Sequence, residues 1–225
     1  MMNSIPNPRG IAFFDFDKTI LKIDSGVSYG LQIYRDGLTH RLPAYKAAVG
    51  GIGYKLGLVR RRTVAEWGVG EYVGLSREKI ESWMTDAYPK LIRPHLSKVV
   101  VRRIQQHKEN GLHTAIISAS PPFFLTEAAK DLEMDYIFGS KLHFEEGICT
   151  GAYEEKYLGG PTKKAIAAKQ AQKLGLTLKD CWFYSDHIAD FPLLEAVGNP
   201  VAVNPEDKLR KVATEKGWLI LEHEV

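Results

Sequence analysis

Apolar positions along the chain show two textures. The run Ile11-Ala-Phe-Phe14 is short, aromatic-rich and bounded by polar residues, which predicts a buried strand. From about residue 20 to 95 no stretch alternates strongly. Apolar residues there recur at spacings of three and four, the period of amphipathic helices. The clearest helix is one that Ser76 can cap: Ile80, Trp83, Met84, Ala87 and Tyr88 share a face, while Arg77, Glu78, Lys79 and Glu81 lie off it. Pro94 ends that segment, because proline disfavours the helical conformation in the residue before it. Beyond residue 95, helices alternate with short apolar strands, the pattern of a parallel sheet wrapped by helices. Helix 96–108 ends at Asn110-Gly111, strand 113–118 follows, and a helix after Pro122 leads to strand 136–138. Residues 141–144 and 148–153 flank Glu146-Gly147 as a small hairpin. Helix 163–174, strand 181–185, helix 190–197, strand 201–203, helix 206–216 and strand 218–221 complete the series.

The opening strand has the texture of the second half. The expected architecture is therefore a doubly wound α/β core from residues 1–20 and 95–225, with a helical segment, 21–94, inserted as a lid. Ligands of such sheets sit beyond the carboxyl ends of the strands. Polar residues at three strand ends can converge there: Asp15 and Asp17, Ser118, and Asp186.

Composition narrows the setting without naming the chemistry. At 225 residues and 44% hydrophobic content the chain can bury a sizeable core. A net charge of +3, from 30 basic and 27 acidic residues, is too small an excess for a nucleic-acid footprint, and Arg60-Arg-Arg62 reads as a solvated helix face. Cys149 and Cys181 form no CxxC pattern, which suggests neither a disulfide framework nor a zinc site and suits a reducing cytosol. Residues 1–10 lack the apolar core of a signal peptide, and nowhere do eighteen apolar residues run together. A cytoplasmic protein with no membrane or nucleic-acid partner, monomeric or homodimeric, is the expectation.

Two carboxylates at the end of a buried strand cannot both enter the core unpaired. An EF-hand loop starting at Asp15 fails, since Ile20 stands where glycine is needed and Gly26 where the bidentate glutamate belongs. A second acidic pair, Asp186 and Asp190, follows the apolar stretch Trp182-Phe-Tyr184. Carboxylates gathered at one sheet edge repel unless a hard divalent cation neutralises them, and oxygen ligands suit Mg2+. Ser118 and an ammonium from Lys163-Lys164 add donors suited to phosphate oxygens, so Asp15 can serve as nucleophile through an aspartyl phosphate. Other features read as inert. Gly51-Ile-Gly53 with Gly57 is not a dinucleotide fingerprint, His187 reads as a loop histidine, and Trp67, Tyr72 and Trp83 read as core of the helical segment.

Four segments together resemble the motifs of the haloacid dehalogenase superfamily: Asp15-Phe-Asp-Lys-Thr19, Ile116-Ile-Ser-Ala-Ser120, the lysine at Gly160-Pro-Thr-Lys163, and Tyr184-Ser-Asp-His-Ile-Ala-Asp190. The insertion between the first two resembles the C1 cap of the phosphoserine-phosphatase-like branch, subfamily IB. The resemblance implies a phosphatase in which Asp15 attacks phosphorus and Asp17 serves as general acid and base. It further implies that Mg2+ is bound by Asp15, the main-chain carbonyl of Asp17, and Asp186. Ser118, the Ala119 amide and Lys163 would hold phosphate, Asp190 would orient the lysine or a metal-bound water, and Thr19 would buttress the loop. Lys163 is preferred over Lys164 because it matches the motif's Gly-x-Gly-Lys form. Asp24 stands where phosphoserine phosphatases place a glutamate that meets the substrate amine, so a cationic substrate group is one reading and a cap of the first inserted helix, with Ser25, is the other. Two departures argue against phosphoserine as the substrate: no cap arginine can be placed, with Arg60 to Arg62 only in its neighbourhood, and Ala189 stands where these enzymes usually carry asparagine. The expected activity is hydrolysis of a small phosphorylated metabolite. A phosphoryl transferase of the same superfamily and, further off, a receiver-like phospho-aspartate module are the alternatives.

Overall fold

The computed structural model describes residues 9–38, 63, 69–154 and 158–224. Six parallel strands form one sheet in the order β3-β2-β1-β6-β7-β8: β1 (Ile11–Phe14), β2 (His113–Ile117), β3 (Tyr136–Phe138), β6 (Cys181–Ser185), β7 (Asn199–Val203) and β8 (Leu219–Leu221). An antiparallel hairpin, β4 (Leu142–Glu145) and β5 (Ile148–Tyr153), stands apart. Strand β1 is central, with Phe14 in register with Ile116 on one side and Tyr184 on the other. The chain builds outward from β1 through β2 to β3, then returns to β6 and builds the other way. The carboxyl end of β1 is thus the switch point, where flanking crossovers diverge and leave a crevice.

Side chains alternate across a strand, and all four residues of β1 are fully buried, so the sheet has two apolar faces. Ala12 and Phe14 join one core with Ile116, Tyr184, and Val100 and Ile104 of helix α3 (Lys98–Glu109). Ile11 and Phe13 join the other, with Ala167 and Ala171 of α5 (Gly160–Lys173), Leu193 and Leu194 of α6 (Phe191–Leu194), and Leu209 and Ala213 of α7 (Asp207–Glu215). This is a doubly wound fold, as the alternating texture of the second half implies. Phe14 stacks on Tyr184 with ring centroids 4.4 Å apart, and truncating such a buried ring costs about 3–5 kcal/mol.

Between β1 and β2 the described residues are helical: α1 (Ser25–Arg35), a short turn at Gly70–Tyr72, and α2 (Arg77–Leu91). Ser76 Oγ accepts from the Lys79 amide at 3.2 Å and caps α2. Tyr29, Tyr72, Ile80 and Met84 pack into the same core as Phe14, together with Phe123 and Phe124 of α4 (Pro122–Asp131). Trp83 is partly buried against them, whereas Trp67, Gly51, Gly53, Gly57 and Arg60 to Arg62 lie outside the described residues. The reading of 190–197 as one helix needs correction: a tight turn at Ile188–Asp190 precedes a single helical turn, Phe191–Leu194. Cys149 and Cys181 are both buried and free. Among the described residues no helix is long and apolar enough to cross a membrane.

Candidate active site

The chain leaves β1 in one wide turn. Leu21 N donates to Phe16 O at 2.9 Å, spanning five residues, and within that turn Asp17 is extended while Lys18 adopts a left-handed φ of 57°. The geometry separates the two aspartates. Asp15, only 2% exposed, sits where the strand ends, and its Oδ1 accepts from the Phe16 amide at 2.8 Å. Asp17 turns toward the helical segment: its Oδ1 accepts from the Ser25 amide at the start of α1, and its Oδ2 accepts from Ser120 Oγ at 2.7 Å.

Behind Asp15 lies a buried ionic group. Lys163 Nζ lies 3.0 Å from Asp15 Oδ2 and donates to Asp190 Oδ2 at 2.7 Å, with all three side chains within 3% of full burial. Ser185 Oγ also donates to Asp190 Oδ2, at 2.8 Å. A lysine reaches this depth because α5 starts very close to the loop after β6. Gly160, with φ +29°, leaves no room for a side chain, since a Cβ would stand 2.7 Å from Ala189 O. Lys164, one position on, is exposed. An ammonium removed from water among carboxylates is stabilised only while its partners remain, and breaking such a pair costs about 3–5 kcal/mol.

Strand β2 supplies hydroxyls. The Ser118 amide donates to Phe138 O at 2.9 Å and its Oγ accepts from the Ser120 amide at 3.1 Å, which leaves the hydroxyl hydrogen as a donor beside the partly buried Ala119. Gly139 lets this loop close on β3, because a Cβ there would meet Ser120 O at 2.6 Å. Strand β6 delivers Asp186, 7% exposed, one residue beyond the position level with Asp15. Next to it, His187 Nδ1 accepts from the Ala189 amide, and its Nε2 lies 3.3 Å from Glu206 Oε2. Thr19 is fully buried, within the wide turn.

The electrostatics of Asp17 differ from those of a surface carboxylate. Desolvation raises its pKa first, and the nearby Asp24 raises it further; the hydrogen bonds from Ser25 and Ser120 only partly oppose them. Burial first, then the charges of Asp17 and Glu127, also hold the Tyr29 hydroxyl protonated. The strand ends thus bring together Asp15, Asp17, Ser118, Ala119, Asp186, Asp190 and Lys163. Ser120, Ser185 and the Ser25 amide are the additional groups. Ser120 stands inside the second motif and Ser185 inside the fourth, but nothing in their spacing announces which carboxylate each one reaches.

The donor set fits a hard cation. Asp15 at the end of β1 and Asp186 and Asp190 after β6 are buried carboxylates, oxygen donors of the kind a hard divalent ion takes. Among the described residues, no three His, Cys, Asp or Glu side chains form a metal cluster by themselves. A groove of about 880 Å³ lies elsewhere, toward the amino ends of the strands and bounded by Arg103, Trp182 and Trp218, and contains none of the site residues.

The sequence profile of the haloacid dehalogenase-like hydrolases matches residues 12–195. A histidinol-phosphatase of Neisseria meningitidis is 28% identical over 95% of the chain and 98% of its own length. A phosphoserine phosphatase of Mycobacterium tuberculosis, SerB1, is 29% identical over 93% of the chain and 69% of its own. A crystal structure of a protein of unknown function from Bordetella pertussis superposes with a TM-score of 0.85 at 26% identity, covering 94% of this chain and 97% of that one.

Proposed function

The chain belongs to the haloacid dehalogenase-like hydrolases and is a phosphatase of the phosphoserine-phosphatase-like kind; from that premise we propose that it hydrolyses a small phosphomonoester with Asp15 as nucleophile. The observation that carries this reading is the position of Asp15: a buried carboxylate at the switch point, fixed by an ammonium at 3.0 Å and a backbone amide at 2.8 Å. Asp15 attacks phosphorus and the ester P–O bond breaks. Asp17 gives its proton to the departing alkoxide, then takes one from the water that attacks the aspartyl phosphate, and the bond between phosphorus and Asp15 opens to release phosphate. Ser118, the Ala119 amide and Lys163 hold the phosphoryl oxygens, and Asp190 holds Lys163. Mg2+ is the fitting cation: Asp15, the Asp17 carbonyl and Asp186 would hold it, and it would supply positive charge against the developing phosphoryl charge.

The contacts of Asp17 say where its proton belongs. Oδ1 accepts from an amide, which cannot reverse its role, whereas Oδ2 accepts from the Ser120 hydroxyl, which can rotate and accept instead. The acid form in this reading carries its proton on Oδ2, and burial, then Asp24, favour that form by raising the pKa of Asp17.

Residues 21–94 act in this reading as a cap over the core. The Ser25 amide at the start of α1 already binds Asp17, so the cap begins in contact with the chemistry. Asp24 adds a negative charge beside that point, which suits a substrate carrying a cation such as an amine. Phosphoserine and histidinol phosphate, for which two relatives are named, both have one. A phosphate-release screen over amino-acid, amino-alcohol and sugar phosphates with Mg2+ tests the proposal. Turnover of an amine-bearing ester, abolished by Asp15→Asn and by chelation of the metal, is the expected result. Failure of the wild type to release phosphate from every ester, an activated aryl phosphate included, overturns it.

A further inference from the structure

We propose that the segment following β8 is part of the catalytic apparatus, with His223 a positioning residue for the loop that carries Asp17; the inference rests on the phosphatase reading for its rate effects but not for its structural ones. His223 Nε2 lies 3.1 Å from the main-chain oxygen of Lys18, the residue next to Asp17, and its Nδ1 lies 2.9 Å from Ser97 Oγ. A carbonyl can only accept, so Nε2 carries the hydrogen, and the neutral ring then accepts the Ser97 hydroxyl at Nδ1. Ser97 is fully buried, caps α3 through the Val100 amide, and donates its own amide to Ile20 O at 2.8 Å. The imidazole therefore ties the two ends of one small unit, the turn after β1 and the start of α3.

The neighbours of His223 hold it in place. Glu224 accepts from the Lys98 amide at 2.9 Å and the Val99 amide at 3.3 Å, and lies 3.6 Å from Lys22 Nζ. Glu222 on the other side is gripped by both terminal nitrogens of Arg210 at 2.6 and 3.1 Å. The peptide being held is one that needs holding. Lys18 is a non-glycine residue in the left-handed region, a conformation that costs on the order of 1 kcal/mol and persists only when its surroundings impose it. If Lys18 relaxes, the adjoining Asp17 carboxyl and carbonyl both turn, and these are the groups assigned to proton transfer and to the metal.

Three variants separate this role from mere stability. In glutamine the amide nitrogen reaches the place of Nε2 and can still donate to Lys18 O. In asparagine it reaches only the place of Nδ1 and loses Lys18. Hydrogen exchange over residues 16–22 and steady-state kinetics on an aryl phosphate are measured for each, below the melting temperature of the least stable variant. Expected are faster exchange and a kcat lowered about 10-fold with KM changed less than about twofold for His223→Ala and His223→Asn, and near-wild-type values for His223→Gln. Equal exchange in all four proteins, or losses that follow melting temperature and fall on glutamine as heavily as on alanine, overturns the inference. Wild-type inactivity defeats the phosphatase reading alone, since the exchange comparison still decides the role of His223.

Discussion

Asp15 and Asp17 are separated by a single residue yet belong to different regions of the molecule. The core side, around Asp15, is rigid and ionic: Lys163 and Asp190 close on it from α5 and the loop after β6, and all three are sealed from water. The insertion side, around Asp17, is half-buried and held by neutral donors, Ser120 and the Ser25 amide, with Asp24 nearby. The same functional group meets an ammonium on one side and is pushed toward its neutral form on the other. That contrast suits the proposed division of labour between a nucleophile, which must be charged, and an acid, which must hold a proton.

The contrast can be broken from either side. Asp15→Asn removes the proposed nucleophile and should lower kcat for any ester by about 10⁴-fold or more in a phosphate-release assay. Lys163→Met leaves Asp15 and Asp190 facing one another without their cation. It should cost about 3–5 kcal/mol in denaturant unfolding, and kcat should fall about 10²- to 10³-fold. Asp17→Asn should act selectively: a loss of about 10²- to 10³-fold for an alkyl phosphate, whose alkoxide needs a proton, and a much smaller one for an aryl phosphate with a good leaving group.

Two milder changes sharpen it. Asp24 raises the pKa of Asp17, so Asp24→Asn should lower it. Where protonated Asp17 is required, activity falls as pH rises through that pKa, and the fall should move to lower pH in the variant's kcat profile. The smallest effect lies in the segment following β8. Burial works against the charge of Glu224, but the amides of Lys98, Glu224 itself and Val99, with Lys22, outweigh it and bring its pKa to about 2 from an ordinary 4.5. A depressed carboxylate stabilises the fold fully above 4.5 and less as pH falls toward 2. Glu224→Gln should therefore cost roughly 0.5–1 kcal/mol at neutral pH, with the gap to wild type narrowing below 4.5 in thermal unfolding.

The core side was largely legible from sequence because its parts are local. An apolar run followed by an acid marks a strand end, and parallel pairing brings such ends to one edge, so Asp15, Ser118 and Asp186 could be grouped without knowing the strand order. Lys163 stood out from Lys164 by its place after Gly160, and its depth follows from the close approach of Gly160 to Ala189. The insertion side was far less legible. Whether Ser120 meets Asp17 depends on how a turn with a left-handed residue at Lys18 re-aims a carboxylate, and short-range periodicity carries no such information. His223 is a still stronger case, since its bond to Lys18 spans 205 positions and no motif surrounds it.

Trapping the covalent intermediate tests the central claim most directly. The enzyme, quenched during turnover of an aryl phosphate with Mg2+ and reduced with borohydride, is digested and its peptides weighed; an aspartyl phosphate is reduced to homoserine. The account requires homoserine at position 15, and none when substrate is omitted. Reduction at another aspartate, or an unmodified Asp15 in enzyme shown to be turning over, would contradict it.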